Sequence, residues 1–67
     1  MFAFDQSRNY LLHILLPGQC RVLTATSPGE HLEDLIIDYQ RMYPYYRKIV
    51  VYDDETHEAI GIIKNEL

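Results

Sequence analysis

The clearest pattern of apolar and polar positions predicts an amphipathic helix over residues 28–43. Its apolar side chains recur at spacings of three and four and therefore share one face: Leu32, Leu35, Ile36, Tyr39, Met42 and Tyr43. Ser27 is suited to cap the helix, with Pro28 at the first helical position and Glu30 completing a capping box. Pro44 cannot continue a helix, so the element is predicted to end there.

A β-hairpin is predicted before the helix. Residues 10–16 and 20–26 alternate in the manner of strands, and Pro17-Gly18 between them fits the central positions of a type II turn. Both faces of the first segment are largely apolar. This is typical of a central strand, or of a strand whose outer face meets a partner.

A second hairpin is predicted after the helix. The segment 47–52 is rich in β-branched residues, and 58–64 returns after a polar loop. Gly61 interrupts the last strand, which indicates a bulge or a close approach of another backbone.

The chain is therefore expected to be a single α+β domain over residues 1–67, in which two hairpins are joined by one helix. The helix is expected to cover one face of a four-stranded sheet that is mainly antiparallel or mixed. Residues 1–9 are predicted to form an N-terminal arm or a short additional strand. Exposed phenylalanines are unusual, so we expect Phe2 and Phe4 to pack on the chain's own core.

The ββαββ order of residues 10–63 is similar to that of the β-grasp, or ubiquitin-like, fold, in which a helix also crosses between two strand pairs. The sulfur-carrier and modifier members of that fold end in a Gly-Gly tail, whereas this sequence ends Asn65-Glu66-Leu67. The resemblance is therefore one of element order only, and we expect no conjugation or sulfur-carrier role. Fold analogy does not by itself define a function.

Size and cysteine content favour self-association. A domain near 67 residues buries only about 60% of the surface that its unfolded chain exposes. Cys20 is the only cysteine in the sequence, so no disulfide within one chain can add stability, and no Cys or His spacing resembles a zinc site. We therefore expect a homodimer.

Charge and hydropathy limit the other classes of partner. The net charge of −4 disfavours nucleic acid as a direct ligand, because phosphate binding depends on an excess of Lys and Arg. The apolar stretch 10–16 is too short to span a bilayer, and the N-terminus lacks the features of a signal peptide. Together with the single cysteine, this predicts a cytoplasmic protein that binds no membrane.

Tyrosines and basic residues concentrate around the end of the predicted helix and the start of the next strand. We predict a partner-binding surface in this basic–aromatic segment, formed by Arg41, Tyr43, Tyr45, Tyr46, Arg47 and Lys48. Tyrosine and arginine are enriched at protein–protein hot spots because they combine apolar area with polar tips. The alternative is that these tyrosines belong to the core and to the packing of the turn. Stacking on nucleic-acid bases is the third use of such a mixture, and the acidic balance counts against it.

The polar loop before the last strand collects carboxylates beside a histidine: Asp53, Asp54, Glu55 and His57. Their spacing does not match an EF-hand, so a solvated hairpin tip is favoured over a metal site. The loop is a weak candidate for docking a basic partner. No metal and no other cofactor is predicted.

No catalytic set is evident in the sequence. His13, His31 and His57 fall on different predicted elements, and Cys20 has no obvious base. The predicted function is a non-catalytic interaction or regulatory module that binds another protein, itself, or both. One alternative is small-ligand binding or catalysis in a pocket at a dimer interface, drawing on His13, His57 or the acidic loop. The other is an acidic nucleic-acid mimic or inhibitor.

Overall fold

The computed structural model describes residues 3–18 and 22–66. Its elements follow in the order β1 (Asn9–Leu15), β2 (Val22–Pro28), a 3₁₀ turn (Gly29–His31), α1 (Leu32–Met42), β3 (Lys48–Asp53) and β4 (Ala59–Lys64). The predicted α+β class and ββαββ order are confirmed. The start of the second predicted strand, including Cys20, lies outside the described residues, as do Phe2 and Leu67.

The four strands form one sheet in the order β2-β1-β3-β4. All three neighbouring pairs are antiparallel, so of the two arrangements left open by the sequence, the antiparallel one is adopted. Because β1 lies between β2 and β3, its two apolar faces belong to a central strand. Gly18 has a φ of +105°, which is the left-handed geometry that the second central position of a type II turn requires.

The core lies between α1 and one face of the sheet. Leu12 and Val51 are opposite each other on β1 and β3 and are fully buried, and the same face carries Tyr10, Ile14 and Ile49. Leu32 and Ile36 of the helix are four residues apart, so they share one face, and both belong to this cluster. Burying each such aliphatic side chain stabilises the fold by about 1.5–3 kcal/mol.

Gly61 lies at a β-bulge, which is one of the two alternatives that its place in the sequence predicts. Val51 pairs with Gly61, whereas the next residue of β3, Tyr52, pairs with Ala59. Ile60 is therefore the extra residue of β4, and its side chain packs against the core.

The helix starts later than predicted, and the capping box is wrong. Pairing between β1 and β2 continues to Asn9 opposite Pro28, so Ser27 is held in the strand and buried rather than placed at a helix start. Its hydroxyl donates to the carbonyl oxygen of Pro28 at 2.9 Å and caps no backbone N–H. A 3₁₀ turn follows, and α1 begins at Leu32. The predicted end is correct: Tyr43, before Pro44, leaves helical geometry with φ −129° and ψ 70°.

The N-terminal segment packs across the start of the helix, where only glycine fits. The Gly29 N–H donates to the Arg8 carbonyl oxygen at 2.7 Å. A Cβ atom on Gly29 would lie 2.8 Å from Gln6 Cα and would also clash with the Asp5 carbonyl oxygen. Nearby, Phe4 packs edge-on against the ring of Tyr10 and so contacts the chain's own core.

Candidate interaction surfaces

The basic–aromatic segment lies at one end of the molecule, where α1 ends and β3 begins. The connection is tied to the sheet because the Arg47 N–H donates to the Leu15 carbonyl oxygen at 2.7 Å. It is tied to the C-terminal residues as well, since the side-chain amide of Asn65 donates to the carbonyl oxygens of Pro44 at 2.9 Å and Tyr46 at 2.8 Å. These hydrogen bonds fix the backbone of the segment against the sheet.

An apolar groove of about 250 Å³ runs between this segment and the turn after β1. Its walls include Pro17 on one side and Met42, Tyr43 and Tyr45 on the other. Tyr45 is 74% exposed and Met42 is 59% exposed. The sequence pattern assigns Met42 to the buried stripe of the helix, whereas the structure leaves it on the surface. Two large apolar side chains are therefore available beside a proline.

Not all tyrosines of the segment face solvent. Tyr46 is only 8% exposed and belongs to the core cluster, and its hydroxyl accepts a hydrogen bond from the Gln40 side-chain amide at 3.0 Å. Tyr43 is half-buried and stacks on Tyr39 with ring centroids 6.2 Å apart. Tyr45 alone of the predicted tyrosines presents most of its surface, while Tyr46 supports the groove from below.

Basic side chains lie near the groove, since Arg47 lines an adjoining cleft together with Pro17 and Tyr45. Among the described residues, Arg41, Arg47 and Lys48 make no salt bridge. Lys48 lies directly opposite Lys64 in the β3–β4 register, and both line a cleft of about 580 Å³ together with Arg47. Four basic side chains therefore lie at this end of the molecule, together with the exposed carboxylate of Glu66, in a chain whose net charge is −4.

The acidic loop is built differently, because its first carboxylate is used inside the fold. Asp53 accepts hydrogen bonds from Arg8 Nε at 2.6 Å and Nη2 at 3.2 Å. It also accepts the backbone N–H groups of Glu55 at 2.8 Å and Thr56 at 3.2 Å, which shapes the turn. The hydrogen bonds from Arg8, joined by those two backbone donors, outweigh the effect of burial and lower the pKa of Asp53 to about 2.

The other members of the loop are exposed. Glu55 pairs with Arg8 at 3.2 Å. Within the described part of the chain, Asp54 makes only a backbone hydrogen bond, from its N–H to the Asn9 carbonyl oxygen at 3.0 Å. His57 has a φ of +61° and donates its N–H to the Asp53 carbonyl oxygen at 2.8 Å. Over residues 3–18 and 22–66, no three His, Cys, Asp or Glu side chains are grouped as a metal would need.

A second apolar surface lies on the sheet face that the helix leaves uncovered. We call it the open face, and its three cross-strand rows are Val22–Leu15–Lys48–Lys64, Thr24–His13–Val50–Ile62 and Thr26–Leu11–Tyr52–Ala59. Val22 and Ile62 on the outer strands are 48% and 54% exposed. The His13 and Tyr52 rings contact at a centroid distance of 4.8 Å and an angle of 58°. Alternation in the sequence predicts the apolar character of this face, but not which strands share it.

Comparison with known proteins finds no significant match to any family model, curated protein or solved structure. Within the part of the chain that the structure describes, no helix has the length and apolar character needed to cross a membrane.

Proposed function

We propose that this protein is a non-catalytic cytoplasmic interaction module that works as a homodimer and binds a partner protein at its basic–aromatic end. The observation that supports partner binding is the groove beside Pro17, where Met42 and Tyr45 are exposed next to unpaired cations. Exposed apolar side chains that gather in one concave site mark binding surfaces, whereas single ones do not.

The chemistry of the groove selects the partner. Tyrosine and arginine provide most of the binding energy in many interfaces, and methionine adapts its shape to different apolar ligands. Arg41 and Arg47 have no acidic partner within the described residues, so they are available to carboxylates of a ligand. The ligand is therefore an extended segment of another protein that carries an apolar anchor flanked by Asp or Glu.

Selection from a library of short displayed peptides tests this proposal. We expect enrichment of sequences in which an aromatic, aliphatic or proline residue lies beside carboxylates. When the unlabelled peptide is added to isotope-labelled protein, the backbone amide chemical shifts of Met42, Tyr45 and Arg47, at or next to the groove, should change. Replacing Met42 and Tyr45 together by Ala should weaken binding of the selected peptide by about tenfold or more.

Ile37→Ala is the matched control. Ile37 is also an exposed large apolar residue of α1, at 40%, but it does not line the groove. Its substitution should leave peptide affinity unchanged. Selection of peptides without acidic residues, or equal affinity for the parent and the double variant, would show that the groove is not the binding site.

A further inference from the structure

We infer that the open face is the homodimer interface, and that two chains pack sheet against sheet about a two-fold axis running across the strands along the row of His13 and Val50. This inference rests on the homodimer of the proposed function and specifies its surface and arrangement. The occupant of the open face is a second copy of this chain.

The first argument is the apolar character of the face. Val50 is buried, Leu11 and Leu15 are half-buried, and Val22 and Ile62 on the outer strands are about half exposed. An antiparallel sheet with one face under a helix usually presents polar residues to water on its other face, whereas this sheet presents several apolar ones. Two such faces pack at about 10 Å from each other in sheet-on-sheet structures and remove each other's apolar surface from water.

The second argument is charge, which is arranged with opposite sign at the two ends of the β3–β4 hairpin. At one end Lys48 and Lys64 are directly opposite each other, and like charges in that position are destabilising. At the other end the loop presents Asp54 and Glu58, which are exposed and make no salt bridge among the described residues. The lysine pair thus lacks an anion that the opposite end of another copy can supply.

These charges distinguish two symmetric ways of packing the faces. In a two-fold dimer with opposed faces, the axis lies in the interface, either along the strands or across them. An axis along the strands gathers the lysine ends of both copies together and both acidic loops together. An axis across the strands places the lysine pair of each copy over the acidic loop of the other. The charge pattern therefore selects the antiparallel arrangement, in which His13 and Val50 meet their own copies at the axis.

The size of the face indicates why the charges matter. Four strands about 4.8 Å apart and about seven residues long give roughly 450 Å² of flat sheet per chain. A standard interface buries about 800 Å² per partner. The additional area of the protruding side chains and the contacts between the charged ends therefore have to contribute to the stability of the dimer. Association through this face is consequently expected to depend on concentration and to weaken with added salt.

Sedimentation equilibrium over a dilution series of the full chain tests the surface. Ile62→Glu places a charge in the interface at a position exposed in the monomer, so the variant is expected to fold. It should raise the dimer dissociation constant by at least tenfold. Ile37→Glu makes the same exchange on the outer side of α1, at a residue of similar exposure, and should leave the dissociation constant unchanged.

Charge reversal tests the arrangement. Lys48→Glu combined with Lys64→Glu should weaken the dimer, and so should Asp54→Lys combined with Glu58→Lys. All four substitutions together restore complementarity in the antiparallel arrangement and should recover most of the parent affinity. If either pair of substitutions weakens the dimer and the fourfold variant does not recover the parent affinity, the antiparallel arrangement is wrong.

The outcomes separate this inference from the proposed function. A dimer that Ile62→Glu and Ile37→Glu affect equally would refute the open face as its interface and leave the homodimer standing. A parent chain that is monomeric at every concentration would refute the homodimer itself. Neither result bears on peptide binding at the groove, which is measured separately.

Discussion

The two ends of β3 differ in how their charges are used. At its start, Arg47 and Lys48 have no acidic partner among the described residues and line the cleft of about 580 Å³. At its end, Asp53 is bound by Arg8 and by two backbone N–H groups. In the sequence both ends are charged stretches of similar length. The difference shows that contacts with distant residues in the fold decide which charged cluster is paired internally and which stays available to a partner.

The same contrast separates Tyr45 from Tyr46, and their substitution gives the largest expected effect. Tyr46 is buried in the core and bonded to Gln40, so Tyr46→Ala should reduce the free energy of unfolding by about 3–5 kcal/mol. Tyr45→Ala removes an exposed ring and should change it by less than about 0.5 kcal/mol. Urea denaturation of both variants measures the difference. Equal losses would mean that Tyr45 is structural too, and the groove would lose its main exposed anchor.

The paired end should respond to pH. The folded-state pKa of Asp53, about 2, lies below the value of about 3.9 for an unfolded aspartate. The stability that this carboxylate contributes is therefore fully present above about pH 4 and is lost as the pH falls towards 2. Asp53→Asn should lower the free energy of unfolding at neutral pH. It should also make that free energy fall less steeply between about pH 4 and 2 than it does in the parent.

Asp54→Asn is the control for this experiment. Asp54 is the exposed neighbour of Asp53 and has no cation bound among residues 3–18 and 22–66. Thermal unfolding across the acid range should follow the parent in this variant. If Asp53→Asn also follows the parent, Arg8 and Asp53 do not pair in solution, and the two ends of β3 are alike.

Much of the fold could be predicted because its signals are local. Pro44 ends the helix, Gly61 marks the bulge, and the alternation of apolar residues identifies the strands. The helix start could not be predicted, since Ser27 is held by strand pairing with Tyr10 and not by the residues that follow it. Gly29 likewise carries no local signal for the N-terminal backbone that lies against it.

The candidate site was only partly predictable for the same reason. The basic–aromatic segment indicates where Tyr45 and Arg47 lie, but helical periodicity does not show that the sheet leaves Met42 uncovered. The partner of Asp53 is Arg8, 45 positions earlier in the chain, and no pattern within the loop points to it. The register that opposes Lys48 to Lys64 is another long-range property. Pairing between distant segments therefore decides which charges remain free.

The smallest expected effect concerns that lysine pair, and it has opposite signs in the monomer and the dimer. Lys64→Glu replaces two like charges directly across β3 and β4 with an opposite pair. At concentrations where the chain is monomeric, this should raise the free energy of unfolding by about 0.2–1 kcal/mol. The same change removes a cation from the open face and should weaken the dimer. Lys64→Gln, which removes the repulsion without adding attraction, should lie between the parent and Lys64→Glu in both measurements. A gain in monomer stability without a loss of dimerisation would mean that the dimer does not depend on the lysine pair. Changes of opposite sign would mean that a repulsion which destabilises the monomer is offset by the attraction of these lysines to a second copy.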